Sequence, residues 1–130
     1  MKKLTLIELN EFNTDLLKLA VETHQLVTLS KLLQMQHSQL FCNEKVEHSG
    51  LDPWVQWVSI HTGKPATQHG VLRLGDVPGV KHRQLWEILS QNDVSSGVWG
   101  AMNSSKGVAE NCRFFYQTRG HFQNKHFLLT

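Results

Sequence analysis

Functional groups are concentrated in one stretch, residues 51–71, LDPWVQWVSIHTGKPATQHGV. Pro53 suits the first turn of a helix, and Asp52 before it is a typical N-cap, whose carboxylate can accept backbone N–H bonds. The helix is predicted over residues 54–61 and should stop at Gly63. A helix N-terminus that faces solvent binds anions, because its free N–H groups and its dipole favour phosphate or sulfate. The stretch therefore predicts a site for an anionic group.

Polar side chains at helical spacing supply the candidates for binding that anion or substrate. They are Asp52, Gln56, Ser59, Thr62 and His69. Each has a plainer structural interpretation: Asp52 is favoured as a helix cap, a role compatible with the site, and the polar helix face either lines a cleft or is solvated. His61 and His69 are candidate metal ligands, or they are structural, because no third ligand stands near them in the sequence. Trp54 and Trp57 share a helical face and favour a core position.

The elements that must position this stretch alternate between strands and helices. Residues 4–9 (LTLIEL) are typical of a buried parallel strand, which would place Glu8 and Asn10 at its carboxyl end, where open α/β sheets bind ligands. Helices are predicted over residues 14–24, 30–39 and 82–91, and strands over residues 40–46 and 94–100. Residues 71–79 and 101–111 are predicted to be irregular connections, and residues 102–105 either form a plain loop or line the same crevice. This order favours an α/β fold with a small parallel sheet flanked by helices.

Composition narrows the function classes. The net charge of +2 is distributed unevenly along the chain. Residues 1–110 carry 10 Lys/Arg and 11 Asp/Glu, whereas residues 111–130 carry three basic residues and no acid. The body has no basic stripe between exposed aromatic residues, so nucleic acid is not predicted as a partner. No apolar run is long enough to cross a membrane, and the N-terminus lacks a signal-peptide cleavage pattern. Two widely spaced cysteines favour reduced thiols and a cytoplasmic location.

Several elements of this pattern together resemble the N-terminal part of the alkaline phosphatase superfamily, in its branch of type I phosphodiesterases, nucleotide pyrophosphatases and sulfatases. They are Thr62-Gly63, Pro65 and His69-Gly70, followed by the helix and strand of LWEILSQNDVSSGVWGAMNS. The resemblance covers residues 3–112. It implies that residues 1–112 form the N-terminal part of a hydrolase-like α/β domain. It also implies a site with two cations, usually zinc, that polarise the ester oxygens and stabilise an attacking alkoxide.

The chain differs from this family at two positions that catalysis requires, the nucleophile and a metal-binding aspartate. Counting back from Thr62, the nucleophile position falls at Asp52 or Pro53, and neither residue has a hydroxyl or thiol group. Asn10 stands where the first strand should supply a metal-binding aspartate, so Glu8 and Asn10 are the remaining candidates for metal ligands. The resemblance implies a zinc or manganese ion in a full-length parent, not stably bound in this chain.

The last residues differ in character from those before them. Residues 113–130 end in GHFQNKHFLLT, which has neither helical nor strand periodicity and no acid. For one choice of codons, a base lost at Phe114 or Phe115 makes the shifted frame read Leu-Pro-Asp-Pro-Trp-Thr-Phe-Ser-Glu, an ordinary loop and helix start. Residues 113–130 are therefore interpreted as an out-of-frame tail.

Two main functions follow from the sequence. The first is a truncated, inactive relative of metal-dependent phosphate- or sulfate-ester hydrolases, which would expose apolar surface and self-associate through a sheet edge. The second is a complete small α/β module that binds a phosphate-bearing ligand at the helix after Asp52. A third interpretation, an active metal-dependent phosphodiesterase or phosphatase, predicts turnover of an aryl phosphate diester that chelation abolishes.

Overall fold

A computed structural model describes residues 3–38, 52–79 and 81–117. The chain divides into two compact units, Met1–Cys42 and Asn43–Thr130. In chain order, the elements are α1 (Thr14–His24), α2 (Val27–Leu33), α3 (Pro53–Thr62), α4 (Ala66–His69), α5 (Leu85–Gln91), β1 (Ser96–Ala101) and β2 (Cys112–Gln117). The two strands form a parallel sheet. The structure is therefore a small α/β fold, as the sequence predicts at this level.

The N-terminal unit contains the two helices α1 and α2. The side chain of Asn13 caps α1, because its Oδ1 accepts the amides of Asp15 at 2.9 Å and Leu16 at 3.0 Å. Gln25, with φ of 51°, ends the helix, so the predicted bounds of α1 are confirmed. Helix α2 begins three residues before the predicted start and ends at Leu33, because apolar spacing defines a helix face more sharply than it defines the ends.

The prediction of a buried strand over residues 4–9 is wrong. Residues 3–38 contain no strand, and Leu4 is 95% exposed. A strand is stabilised only by a neighbouring strand and a covered face, and the described residues of this unit provide neither. Glu8 and Asn10 consequently do not lie at the end of a sheet strand in this structure.

The second unit carries the helix predicted at residues 54–61. Helix α3 begins at Pro53 and ends at Gly63, whose φ of 64° and N–H bond to the Ser59 carbonyl make it a left-handed C-cap. The short helix α4, which follows, was not predicted. Helix α5 begins three residues later than predicted, at Leu85, because Gln84 forms a capping box with Glu87 there.

The sheet packs one of its faces against α5. Strand β1 pairs with β2 through Ser96 opposite Cys112 and Val98 opposite Phe115. Val98 and Phe115 pack against a buried cluster of Trp86, Ala101, Ala109 and Cys112. The predicted strand at residues 94–100 is confirmed with shifted ends, whereas β2 was not predicted.

Strand β2 crosses residue 113, the predicted start of the out-of-frame tail, so this boundary does not coincide with the end of an element. The predicted strand at residues 40–46 and the tail from residue 118 onward lie outside the described residues. Among the described helices, none combines the length and the apolar character that crossing a bilayer requires.

Candidate anion site at the start of helix α3

Helix α3 presents an N-terminus that no side chain caps. The carbonyl of Asp52 accepts the amides of Val55 at 2.9 Å and Gln56 at 3.0 Å, which starts the helical hydrogen bonding. The Asp52 carboxylate makes no capping bond, so the cap predicted for it is provided by its backbone alone. Asp52 and Gln56 are both partly exposed. Pro53 has no N–H, so the amide of Trp54 is the donor of the first turn that has no acceptor within the helix, and it lies at the end with the partial positive charge that attracts an anion.

The buried side chain of Asn103 binds the backbone of this first turn. Asn103 is 4% exposed and lies just beyond the carboxyl end of β1. Its Nδ2 donates to the carbonyls of Trp54 at 3.1 Å and Arg73 at 2.9 Å, and its Oδ1 accepts the amide of Gly75 at 2.8 Å. The start of α3 therefore lies at the carboxyl end of a parallel strand, which is where α/β sheets bind their ligands.

The backbone of Asn103 adopts a conformation that few residues tolerate. Its φ is 47°, in the left-handed region, where asparagine is favoured over most other residues that have a side chain. The indole Nε1 of Trp54 also donates to the Leu72 carbonyl at 3.3 Å, which adds a second link between α3 and the segment after α4. The start of α3 is thus anchored from two sides.

Buried polar groups at the start of α5 fix the loop that carries Asn103. Gln84 is fully buried, and its Oε1 accepts the Ser105 amide at 3.1 Å. Trp86 Nε1 donates to the Ser105 carbonyl at 2.8 Å, and Glu87 Oε1 accepts the Val108 amide at 3.2 Å. Because these partly buried backbone groups of the loop are paired in this way, the loop is held as a defined support for the site.

The sequence predicted a loop over residues 101–111, with residues 102–105 as a candidate lining of the same crevice, but it did not predict that Asn103 anchors α3. Its partners are 28 to 49 residues away in the chain, so no local pattern could identify them. The spacing of Gln84 and Glu87 did carry a signal, because a polar residue three positions before a glutamate is typical of a capping box.

Two of the predicted site residues, Ser59 and His69, bind each other. Ser59 Oγ lies 3.0 Å from His69 Nε2, and His69 Nδ1 accepts the amide of Val71 at 3.1 Å. In the neutral ring the proton must then be on Nε2, which donates it to Ser59 Oγ. A general base for a serine needs Nε2 free of its proton, so this pair links α3 to α4 and does not form a nucleophile and base.

Thr62 and His61 are also turned into the protein. Thr62 Oγ1 donates to the Val58 carbonyl at 2.7 Å, a bond within its own helix. His61 is 4% exposed and lies between two indoles, with ring centroids 6.2 Å from Trp57 and 5.1 Å from Trp86. Of the predicted anion-binding residues, Asp52 and Gln56 are partly exposed near the start of α3, whereas Ser59, Thr62 and His69 form hydrogen bonds within the protein.

The predicted nucleophile position, Asp52 or Pro53, coincides with the N-cap and the first residue of α3, and neither residue has a hydroxyl or thiol group. The predicted metal ligands, Glu8 and Asn10, belong to the N-terminal unit. Within residues 3–38, 52–79 and 81–117, no three His, Cys, Asp or Glu side chains are grouped so that they could hold a metal ion. These residues alone do not fit a zinc or manganese centre, and no chemical step is assigned to a metal.

Comparison with known proteins gives no match to a family model, to a curated protein or to a solved structure. What the chain does is therefore inferred from the geometry around α3.

Proposed function

We propose that this chain is a catalytically inactive relative of metal-dependent phosphate- and sulfate-ester hydrolases of the alkaline phosphatase superfamily, and that it binds a phosphate or sulfate group at the first turn of α3. One observation carries the proposal. Asn103 ties the Trp54 carbonyl, at 3.1 Å, to the segment that follows the parallel strand β1. This contact brings an uncapped helix start and a strand's carboxyl end together, the two features that bind phosphoryl groups in α/β proteins.

The chemistry available at this place is binding without turnover. Backbone amides and the helix dipole stabilise a tetrahedral anion, whereas bond cleavage in this superfamily also needs a nucleophile. Pro53 occupies the first helical position and supplies neither a hydroxyl nor a thiol. An ester bound here would be held by its anionic group and released unchanged.

We also propose that this chain derives from a longer parent protein. In this chain, the residues from Phe114 or Phe115 onward are read out of frame. This origin is supported by the loss of acidic residues and periodicity over residues 113–130, together with the shifted frame that reads Leu-Pro-Asp-Pro-Trp. In the parent, a cytoplasmic hydrolase, the missing ligands would complete a zinc or manganese site. Sequencing the DNA beyond the stop codon tests this origin. The continuation of a superfamily-like reading frame is expected there, and its absence contradicts it.

A second candidate, a complete small α/β module for a phosphate-bearing ligand, has one observation in its favour. Residues 43–130 form a compact unit of their own, with a buried cluster under the sheet. Both candidates predict anion binding at α3, and the downstream DNA separates them. An active hydrolase, in contrast, predicts release of nitrophenol from an aryl phosphate diester, and loss of that release when metal is chelated.

Charge variants at the first turn test the binding itself. Asp52→Asn removes a negative charge beside the proposed anion, and Gln56→Glu adds one. Inorganic phosphate should bind the first variant more tightly and the second more weakly. Each change should be about two- to fivefold, equivalent to about 0.3–1 kcal/mol for a charge near a helix end.

Isothermal titration calorimetry at constant ionic strength measures these affinities. The matched control is Gln91→Glu, which adds the same charge at the exposed end of α5. It should leave phosphate binding unchanged. Equal effects of Gln56→Glu and Gln91→Glu would show that phosphate responds only to net charge, and the proposed site would be rejected.

A further inference from the structure

The imidazole ring of His69 connects the short helix α4 to helix α3. Its Nε2 lies 3.0 Å from Ser59 Oγ on α3, and its Nδ1 accepts the amide of Val71 at 3.1 Å. His69 is 5% exposed and Val71 is 3% exposed, so the ring and the amide that it binds are shielded from water. Ser59, His69 and Val71 are called the latch below.

The latch requires a neutral ring that carries its proton on Nε2. The Ser59 hydroxyl donates to the Val55 carbonyl at 3.4 Å, which leaves its oxygen to accept the Nε2 proton. The amide of Val71 is only a donor, so Nδ1 must present a lone pair to it. A second proton on the ring would occupy Nδ1, and two N–H groups would then face each other. Protonation of His69 is therefore incompatible with the closed latch.

Helix α4 is too short to be stable by itself. It is a single turn, Ala66–His69, and Gly70 ends it with a φ of 69°. One isolated turn is unfavourable in water, because fixing its backbone costs more than its hydrogen bonds return. The position of α4 therefore depends on its contacts with α3, and the latch is one of them. The segment after the latch is also linked to α3, because the Leu72 carbonyl accepts Trp54 Nε1 at 3.3 Å.

The charged groups close to His69 in the described chain do not favour a positive ring. The other ionisable side chains on α3 and on the described segments that adjoin α4 are Asp52, His61, Lys64, Arg73 and Asp76. Lys64 and Arg73 are exposed cations on either side of α4 in the chain, and Asp52 precedes Ser59 by about 10 Å along the axis of α3. Within the described residues, His69 belongs to no group of His, Cys, Asp or Glu that could hold a metal ion.

We propose that the latch is a pH-sensitive switch, which is closed while His69 is neutral and which opens when the ring is protonated, releasing α4 from α3. A histidine that is exposed in the open state has an ordinary pKa of about 6.5, whereas the closed latch excludes the second proton. By linkage, the closed latch is stable above about pH 6.5, and the open fraction rises by about tenfold for each pH unit below it. The switch does not depend on phosphate binding at α3.

Hydrogen exchange of the Val71 amide, followed by ¹H–¹⁵N NMR and corrected for the intrinsic exchange rate at each pH, tests the proposal. Between about pH 7.5 and about pH 5.0, the protection of this amide should fall by about thirtyfold. The internal control is the amide of Gly63, which donates to the Ser59 carbonyl at 2.9 Å at the end of α3. Its protection should stay constant, because the latch does not include this bond.

The variant His69→Asn separates the switch from a purely structural role. Asparagine Oδ1 can take the place of Nδ1 and accept the amide two residues on, as in an Asx turn, but it does not titrate. Protection of Val71 should then be independent of pH. The matched control is His24→Asn, which replaces an exposed histidine at the end of α1 and should leave the pH dependence of Val71 unchanged.

Imidazole ¹⁵N NMR of the unmodified protein gives a second readout that does not depend on the variants. His69 Nδ1 should carry no proton at neutral pH and should gain one over the pH range in which Val71 loses protection. A protonated His69 ring beside a protected Val71 amide would overturn the proposal. So would a Val71 amide that is unprotected at neutral pH, or a protection that changes with pH no more than that of Gly63 or equally in His69→Asn.

Discussion

Replacing Asn103 by alanine is the most informative perturbation of the fold, because one side chain joins three segments. The variant loses the bonds to Trp54, Arg73 and Gly75, which are 2.8 to 3.1 Å long. At about 0.5–1.5 kcal/mol for each hydrogen bond, their loss costs roughly 2–4 kcal/mol. Alanine at a φ of 47° adds about 1 kcal/mol, because it lacks the short polar side chain that makes asparagine tolerate the left-handed region. We expect a total loss of about 3–5 kcal/mol.

Native-state hydrogen exchange measures this effect where it arises. The amide of Gly75 donates to Asn103 Oδ1, so its exchange should accelerate strongly in Asn103→Ala. Urea unfolding followed by circular dichroism gives the accompanying loss of stability. Asn103→Asp refines the test, because it keeps the acceptor for Gly75 but turns a second oxygen toward the carbonyls of Trp54 and Arg73. It should slow Gly75 exchange relative to alanine, yet remain less stable than the unmodified protein.

The matched control is Asn92→Ala, which removes one exposed bond from Asn92 Nδ2 to the Ile88 carbonyl at 2.9 Å. Its cost should stay below about 1 kcal/mol. If Asn103→Ala costs no more than Asn92→Ala and Gly75 exchange is unchanged, Asn103 does not anchor α3 and the reasoning is refuted.

Two further predictions concern the support beneath the site, each checked by urea unfolding. Gly107 has a φ of 52°, and an added Cβ would fall on the Glu87 carboxylate, so Gly107→Ala should cost about 2–4 kcal/mol. In the control Gly79→Ala, the added Cβ has no neighbouring atom, so the free energy of unfolding should change by no more than about 0.5 kcal/mol. Equal losses of stability at the two glycines would contradict the prediction. Trp86→Phe leaves the Ser105 carbonyl without its indole donor and should cost about 1–3 kcal/mol; full stability would show that this bond is dispensable.

Local signals explain which elements the sequence could predict. Asn13 caps α1, and Pro53 and Gly63 bound α3, so the chemistry of a few adjacent residues determines where these helices begin or end. The strand predicted at residues 4–9 is absent and β2 was missed for the same physical reason. Strand formation depends on a partner elsewhere in the chain, and local composition does not identify that partner.

The candidate site was predictable in its position but not in its contacts. The start of α3 was identified correctly, because a proline after an aspartate is a local signal. The polar residues Ser59, Thr62 and His69 were expected to face a ligand, yet they bond to the backbone or to each other. Short polar side chains in helices often do this, and the sequence alone does not distinguish the two uses. Asn103 was missed because its partners are distant in the chain.

The most direct test of the proposed function is a residue-resolved titration of the unmodified protein with inorganic phosphate, followed by ¹H–¹⁵N NMR at constant ionic strength. The amide of Trp54, in the first turn of α3, should show the largest saturable shift, while an equal titration with chloride leaves it in place. The same sample should not cleave an aryl phosphate diester. Shifts spread over exposed lysines and arginines, with none at the first turn of α3, would contradict the account.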